Sequence, residues 1–292
     1  MLLVALGVAL ALTMNLSEHY ALPTTHTWER HRWDSGLVDR RWNVAVPREL
    51  PAGRHPAILV LHGAFGDLTS LAADTDILRF TGPRHIITAF PQGLWGVWNS
   101  GGCCLPAMAF GVDDVAFIDH VVADLAGRPD VDPAHIYVIG ASNGGMMAAR
   151  YACKGHERIA GAVAVTGTPW SADGCEHRSV PILFVAGTAD TIVPYEGGRS
   201  LLATVLSGRA ARPARENAAE FAAANGCDPT PEVTTFRAWT LPKVPTTKWT
   251  RRHWTGCRAA VDLATIEGAD HTWPWGGDWG GSQEVLHFFG LL

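Results

Sequence analysis

Eleven residues near the middle of the chain, Ile136-Tyr137-Val138-Ile139-Gly140-Ala141-Ser142-Asn143-Gly144-Gly145-Met146, read as a strand, a sharp turn and the start of a helix. Within them Gly140-Ala141-Ser142-Asn143-Gly144 matches G-x-S-x-G. The spacing has a physical basis. A serine held on a tight strand-to-helix turn tolerates only minimal side chains two positions to either side, and its hydroxyl is then pushed into the open. The helix that follows offers its free N–H groups to developing negative charge. In a chain with 31 glycines the five-residue pattern alone is weak. The apolar run before it and the helix-forming Met146-Met147-Ala148-Ala149-Arg150-Tyr151 after it give the pattern its weight.

The rest of the chain repeats this alternation. Short apolar runs at 58–61, 86–90, 159–166, 182–186 and 261–266 each enter a loop marked by Gly or Pro, as buried parallel strands do. Helical patterns are predicted over 70–80, 215–224 and 283–289, and over 115–125, where Asp113 or Asp114 suits an N-cap better than an acid pair. The segment 37–46 reads as an antiparallel edge pair, and 93–106 and 268–281 as loops. The fold class is therefore α/β, a mostly parallel central sheet with helices on both faces. At 292 residues one such domain is the better expectation, spanning 28–292 with a loop or hairpin insertion at about 228–256, where prolines and threonines dilute the pattern.

Residues 2–16 carry no charge and Ala9-Leu10-Ala11 offers a small-residue cleavage site, so 1–27 reads as a signal peptide or disordered N-terminus, too short for a membrane span. The expected location is secreted or periplasmic. With 17% charged residues, a net charge of −5 and no basic cluster beyond short pairs, nucleic-acid binding has little support. The six cysteines show no C-x2-C pair, and neither metal nor cofactor is expected.

A serine hydroxyl needs a base, and in an open α/β sheet functional groups gather in loops at the carboxyl ends of strands. Of 13 histidines, His271 follows the last predicted strand, whereas His62 precedes the serine and better suits a backbone-shaping loop. An acid should lie on a strand end between Ser142 and His271, and Asp190 fits; Asp270 adjoins His271 too closely and Asp262 falls within a strand. Serine, acid and histidine then come from three strand-end loops in the order such hydrolases use. The backbone N–H of Asn143, with that of Ala64 or Phe65, would form the oxyanion hole.

His62-Gly63, Ala89-Phe90-Pro91-Gln92-Gly93, Trp98-Asn99 through Gly102-Cys103-Cys104, Val112-Asp113-Asp114-Val115, Ser142 to Met146, Gly187 to Asp190 through Pro194-Tyr195, and His271-Thr272-Trp273-Pro274 together resemble the polyhydroxybutyrate depolymerase-type esterases, a family that includes feruloyl and acetylxylan esterases. The resemblance runs from about residue 44 to the C-terminus. It implies an α/β-hydrolase fold, export, the triad Ser142, Asp190 and His271, and a Cys227–Cys257 disulfide, with Cys153–Cys175 less firmly implied and the pairing of Cys103 and Cys104 left open. Ala64-Phe65 and the Trp-rich stretch 273–279 depart from the family pattern, which leaves the substrate undetermined.

The expected activity is hydrolysis of carboxylic esters through an acyl-enzyme, first as a hydroxyalkanoate depolymerase, with a feruloyl or acetylxylan esterase as the alternative. A non-catalytic binding protein of the same fold is the rival from another class. No polymer-binding segment is recognised, which favours soluble esters over solid polymer. Trp95, Trp98 and Trp273, and with them Trp275, fall in loops expected at the site and would hold a polyester chain or phenolic acid, unless they are packing residues.

Overall fold

The computed structural model describes residues 23–36, 38–169, 175, 178–236, 248–273 and 281–292. Its strands are β1 (His26–Asp34), β2 (Asp39–Pro47), β3 (His55–Leu61), β4 (Ile87–Pro91), β5 (Val131–Ala141), β6 (Gly161–Val165), β7 (Ile182–Gly187), β8 (Glu232–Phe236), β9 (Trp249–Trp254) and β10 (Val261–Ile266). They form one sheet in the order β1-β2-β4-β3-β5-β6-β7-β10-β9-β8. From β4 to β10 every neighbouring pair is parallel, and an antiparallel hairpin extends each side, β1–β2 next to β4 and β8–β9 next to β10.

The helices are α1 (Ser70–Thr75), α2 (Ile77–Thr81), α3 (Asp114–Ala126), α4 (Asn143–Lys154), α5 (Leu201–Ser207), α6 (Ala214–Ala224) and α7 (Gly281–Phe288). Strand side chains alternate between two apolar layers, as the pleat requires. Leu59 and Leu61 of β3 and Ile136 and Val138 of β5 pack with α3, α4 and α6 on one face; Ile58, Val60, Tyr137 and Ile139 pack with α1, α2 and α7 on the other. The sheet is thus covered by helices on both sides, the α/β-hydrolase arrangement read from the sequence.

Two expectations are corrected in detail. The antiparallel edge pair expected within 37–46 is made by β2 there with β1 before it, and β1 is polar because at a sheet edge one face meets solvent and Glu29, Arg30 and Arg32 need not be apolar. The helix expected over 70–80 is two short ones, broken where Asp76 adopts a left-handed φ of 46°, a conformation that Asp tolerates better than most residues. In the region 228–256, read from the sequence as a loop or hairpin insertion, β8 and β9 pair antiparallel and continue the sheet past β10. Residues 237–247 between them, and the N-terminal signal-peptide reading up to residue 22, lie outside the described residues.

The chain order reverses between β3 and β5, since β4 lies to one side of that pair and β6, β7 and β10 to the other. Such a switch point opens a crevice at the carboxyl ends of the strands. The loops after β3, β5, β7 and β10, which carry His62, Ser142, Asp190 and His271, all emerge at that end.

Candidate active site

Ser142 leaves β5 at φ 53°, a conformation that costs an L-residue free energy and that the surrounding main chain holds in place. Its N–H donates to Val165 O at 2.8 Å and its carbonyl accepts from Met146 N–H at 2.9 Å, so both sides of the turn are bonded. The flanking glycines answer to close contacts. A Cβ on Gly140 would stand 2.2 Å from Gly144 O, and one on Gly144 would stand 2.1 Å from Leu61 O. Strand β5, helix α4 and strand β3 approach too closely at these positions for any side chain, which is why the spacing could be read from sequence.

Asp190 and His271 arrive from neighbouring strands, β7 and β10. Their loops are latched: Ala189 N–H donates to Ala269 O at 2.9 Å, and Gly268 N–H donates to Thr188 Oγ1 at 2.8 Å. One oxygen of Asp190 accepts the N–H groups of Ile192 and Val193, each at 2.8 Å, which fixes the carboxylate. Its other oxygen lies 2.7 Å from His271 Nδ1, and His271 Nε2 lies 2.9 Å from Ser142 Oγ. The structure therefore brings together all three sequence-predicted residues in one continuous chain of hydrogen bonds. The rejected acids lie elsewhere, Asp270 bonded to Thr272 and Asp262 to Arg251 and His253. Such a relay can draw a proton from a serine hydroxyl while the buried carboxylate orients and stabilises the imidazolium.

The loop after β3 is shaped by His62. Gly93 N–H donates to its Nε2 at 2.9 Å, so Nδ1 carries the proton and donates to Gly63 O at 2.7 Å. Burial pushes the imidazole down to about 4, which keeps it neutral. The alternative between Ala64 and Phe65 narrows here, because Phe65 N–H already donates to Gly96 O at 2.7 Å. Asn143 opens α4, where main-chain N–H groups lack partners within the helix.

Trp98 is corrected as a substrate contact. It is fully buried, its Nε1–H donates to His62 O at 2.9 Å, and its ring packs on His62 and Phe117. It shapes the site from behind rather than meeting a ligand. Trp95 is 47% exposed and lies against the exposed Phe110 at a ring separation of 5.4 Å. Trp273 is buried but lines the cleft over Ser142, a cavity of about 440 Å³. Trp275 lies outside the described residues.

The cleft also contains residues that sequence reasoning passed over. Met146 and a disulfide between the adjacent Cys103 and Cys104 line it, as does Asp74 of α1. The Gly-Gly-Cys-Cys loop was a visible signal for the disulfide; Asp74, an unremarkable helix residue in sequence, had none. Cys153–Cys175 and Cys227–Cys257 are bonded as expected. Among the described residues no group of three His, Cys, Asp or Glu side chains clusters as metal ligands.

Residues 110–212, which carry Ser142 and Asp190, match the model of the dienelactone hydrolase family. The chain is 33% identical over 150 residues to the "Putative esterase NocK" of Nocardia uniformis subsp. tsuyamanensis, covering 51% of this chain and 43% of that protein. It is 31% identical over 191 residues to feruloyl esterase B of Piromyces equi, covering 62% of this chain and 34% of that one. The matched part thus spans less than half the length of either relative. An acetyl xylan esterase from Aspergillus awamori superposes with a TM-score of 0.63 over 90% of this chain and 100% of that one, at 17% identity, a likeness of fold. Sheet order, helix layers and the structural likeness give the chain the α/β-hydrolase fold.

Proposed function

We propose that this α/β-hydrolase is a serine carboxylic ester hydrolase. The observation that carries the reading is the unbroken Asp190–His271–Ser142 relay at the floor of an open cleft. In this mechanism His271 Nε2 takes the Ser142 proton as Oγ attacks the ester carbonyl carbon. The carbonyl oxygen becomes an oxyanion facing the N–H groups of Asn143 and Ala64. Collapse expels the alcohol, which takes its proton from His271, and leaves an acyl-serine. Water, deprotonated by the same imidazole, then releases the acid and restores the hydroxyl. One oxyanion donor contributes about 3 kcal/mol in such enzymes.

The substrate reading follows the relatives. Feruloyl esterases and an acetyl xylan esterase stand among the similar proteins, so we favour phenolic or acetyl esters of plant polysaccharide over hydroxyalkanoate polymers, which gain no support from the relatives named above. The exposed Trp95, with Phe110 inclined beside it, offers an aromatic face for sugar rings, and Trp273 a wall for the acyl group. Three disulfides suit an oxidising compartment, and export is part of the proposal.

The test is a comparison of initial rates on methyl ferulate, acetylated xylan and hydroxybutyrate oligomers, with fluorophosphonate labelling of wild type and S142A. Labelling and turnover that both require Ser142 are expected, and S142A should lose on the order of 10^4-fold in turnover. Undiminished hydrolysis by S142A would sink the mechanism, and neither labelling nor turnover in wild type would favour a binding protein.

A further inference from the structure

The cleft above Ser142 has an imbalance of charge that ester hydrolysis does not require. Leu71 and Trp273 on its lining belong to the apolar layer around α1, α2 and α7, whereas Cys103, Cys104 and Met146 belong to a separate apolar cluster. Between these walls the ionisable side chains among the described lining residues are His271 and Asp74, and none of the described lining residues is Lys or Arg. Asp74 projects from α1 and makes no side-chain hydrogen bond or ion pair with another described residue. Asp74 is solvent-exposed at the rim of the cleft, and partial desolvation there and the nearby Asp67 carboxylate raise its pKa above the ordinary value.

We propose that Asp74 is a specificity-determining residue whose unneutralised carboxylate excludes anionic esters from the cleft and accepts hydrogen bonds from hydroxyl-bearing ones, so that the substrate class is an uncharged, hydroxylated ester. The inference rests on the esterase reading above and deepens it. A carboxylate on the bound ester would meet the exposed Asp74 at the mouth of the cleft, where at low ionic strength like charges several ångströms apart change binding by up to about tenfold. Acylated neutral sugars fit this restriction. Esters of uronic acids, and short hydroxybutyrate oligomers with a free terminal carboxylate, do not.

The test compares p-nitrophenyl acetate with p-nitrophenyl hemisuccinate, which share a leaving group and differ by one carboxylate. The rates are measured at pH 8 and low ionic strength, after subtraction of uncatalysed hydrolysis. In D74N the hemisuccinate-to-acetate ratio of kcat/KM should rise on the order of tenfold, and in D74K further. Adding 0.5 M salt should raise the ratio in wild type and leave it nearly flat in D74N, a response that a purely structural role would not produce. A ratio unchanged in both variants overturns the role of Asp74 while Ser142-dependent acetate hydrolysis stands. If wild type hydrolyses neither ester and takes no fluorophosphonate, the esterase reading fails and this inference falls with it.

Discussion

Asn143 binds the main chain of Trp98 twice: its Oδ1 accepts the Trp98 N–H at 2.7 Å and its Nδ2 donates to the Trp98 carbonyl at 3.0 Å. One residue thus joins the serine turn to the loop that supports His62, since Trp98 in turn donates its indole N–H to the His62 carbonyl.

Replacement of Asn143 by Ala keeps the backbone N–H of residue 143 but strands the buried Trp98 N–H, whereas the Trp98 carbonyl still accepts from the Cys104 N–H at 3.0 Å. An orphaned buried donor costs about 1–3 kcal/mol. N143A should therefore unfold at lower urea and lose on the order of tenfold or more in kcat, with a smaller change in KM. A normal kcat in a destabilised protein would show that the loop does not position reacting groups.

His62 predicts a pH dependence of stability. Folded protein holds this imidazole neutral until the pH falls to about 4, whereas an unfolded chain protonates it near 6.5. Unfolding therefore takes up a proton between those values. The contribution of His62 is complete above about pH 6.5 and is lost as the pH drops toward 4, a change of about 3 kcal/mol. Urea midpoints measured from pH 8 to 4 should fall in wild type, and the fall should be shallower in H62Q; parallel curves would refute the assignment.

Arg40 and Asp114 form a buried ion pair at 2.6 Å between β2 and α3, with the guanidinium 3.9 Å from the Phe117 ring centroid. Burial pushes the Asp114 carboxyl up even against the pull of Arg40, so removal of the cation leaves a buried carboxylate whose remaining hydrogen-bond donor is the Asn99 N–H, 2.7 Å from Oδ2. R40M should cost about 3–5 kcal/mol, and the double variant R40M/D114N, whose amide oxygen still accepts from Asn99, should recover part of it. Chemical denaturation of the two variants provides the check.

The Cys227–Cys257 bond ties the end of α6 to the turn after β9, at the end of the sheet where β10 begins and away from the end that carries His271. C227S/C257S should lose about 3 kcal/mol of stability with little effect on kcat/KM for a small ester at 25 °C. A large loss of activity in folded protein would contradict this separation.

For Trp95 the expected outcome depends on substrate size. W95A should leave methyl ferulate hydrolysis within about twofold and lower kcat/KM on feruloylated or acetylated oligosaccharide by about fivefold or more, in keeping with the loss of an aromatic stacking contact. Equal effects on both would remove the exposed aromatic face from the substrate path.

The positions of the parallel strands were legible because buried parallel strands are apolar along their whole length, as at 58–61 and 182–186. Ser142 was legible because three backbones crowd at Gly140 and Gly144, and Asp190 and His271 because strand ends are where side chains can reach it. Edge strands such as β1 and β8 were not, since an exposed edge imposes no apolar rule on its residues. Trp98 was misread for a related reason: an aromatic residue in a glycine-rich loop has the same local sequence whether it faces the cleft or the core. Asp74 had no local signature at all, because its place in the cleft comes from the packing of α1 and not from its neighbours in the chain.

Asp190 and His271 hang from adjacent strands, whereas Ser142 is carried by β5, two strands further from β10 than β7 is. The relay therefore works as a vernier across the middle of the sheet. A small shear between β5 and β7 would part the imidazole from the hydroxyl while leaving the carboxylate–imidazole contact and nearly all secondary structure in place. Under gradual heating or denaturant, loss of turnover should then precede loss of the far-ultraviolet signal, and the protein would report on the alignment of its own sheet before the sheet melts.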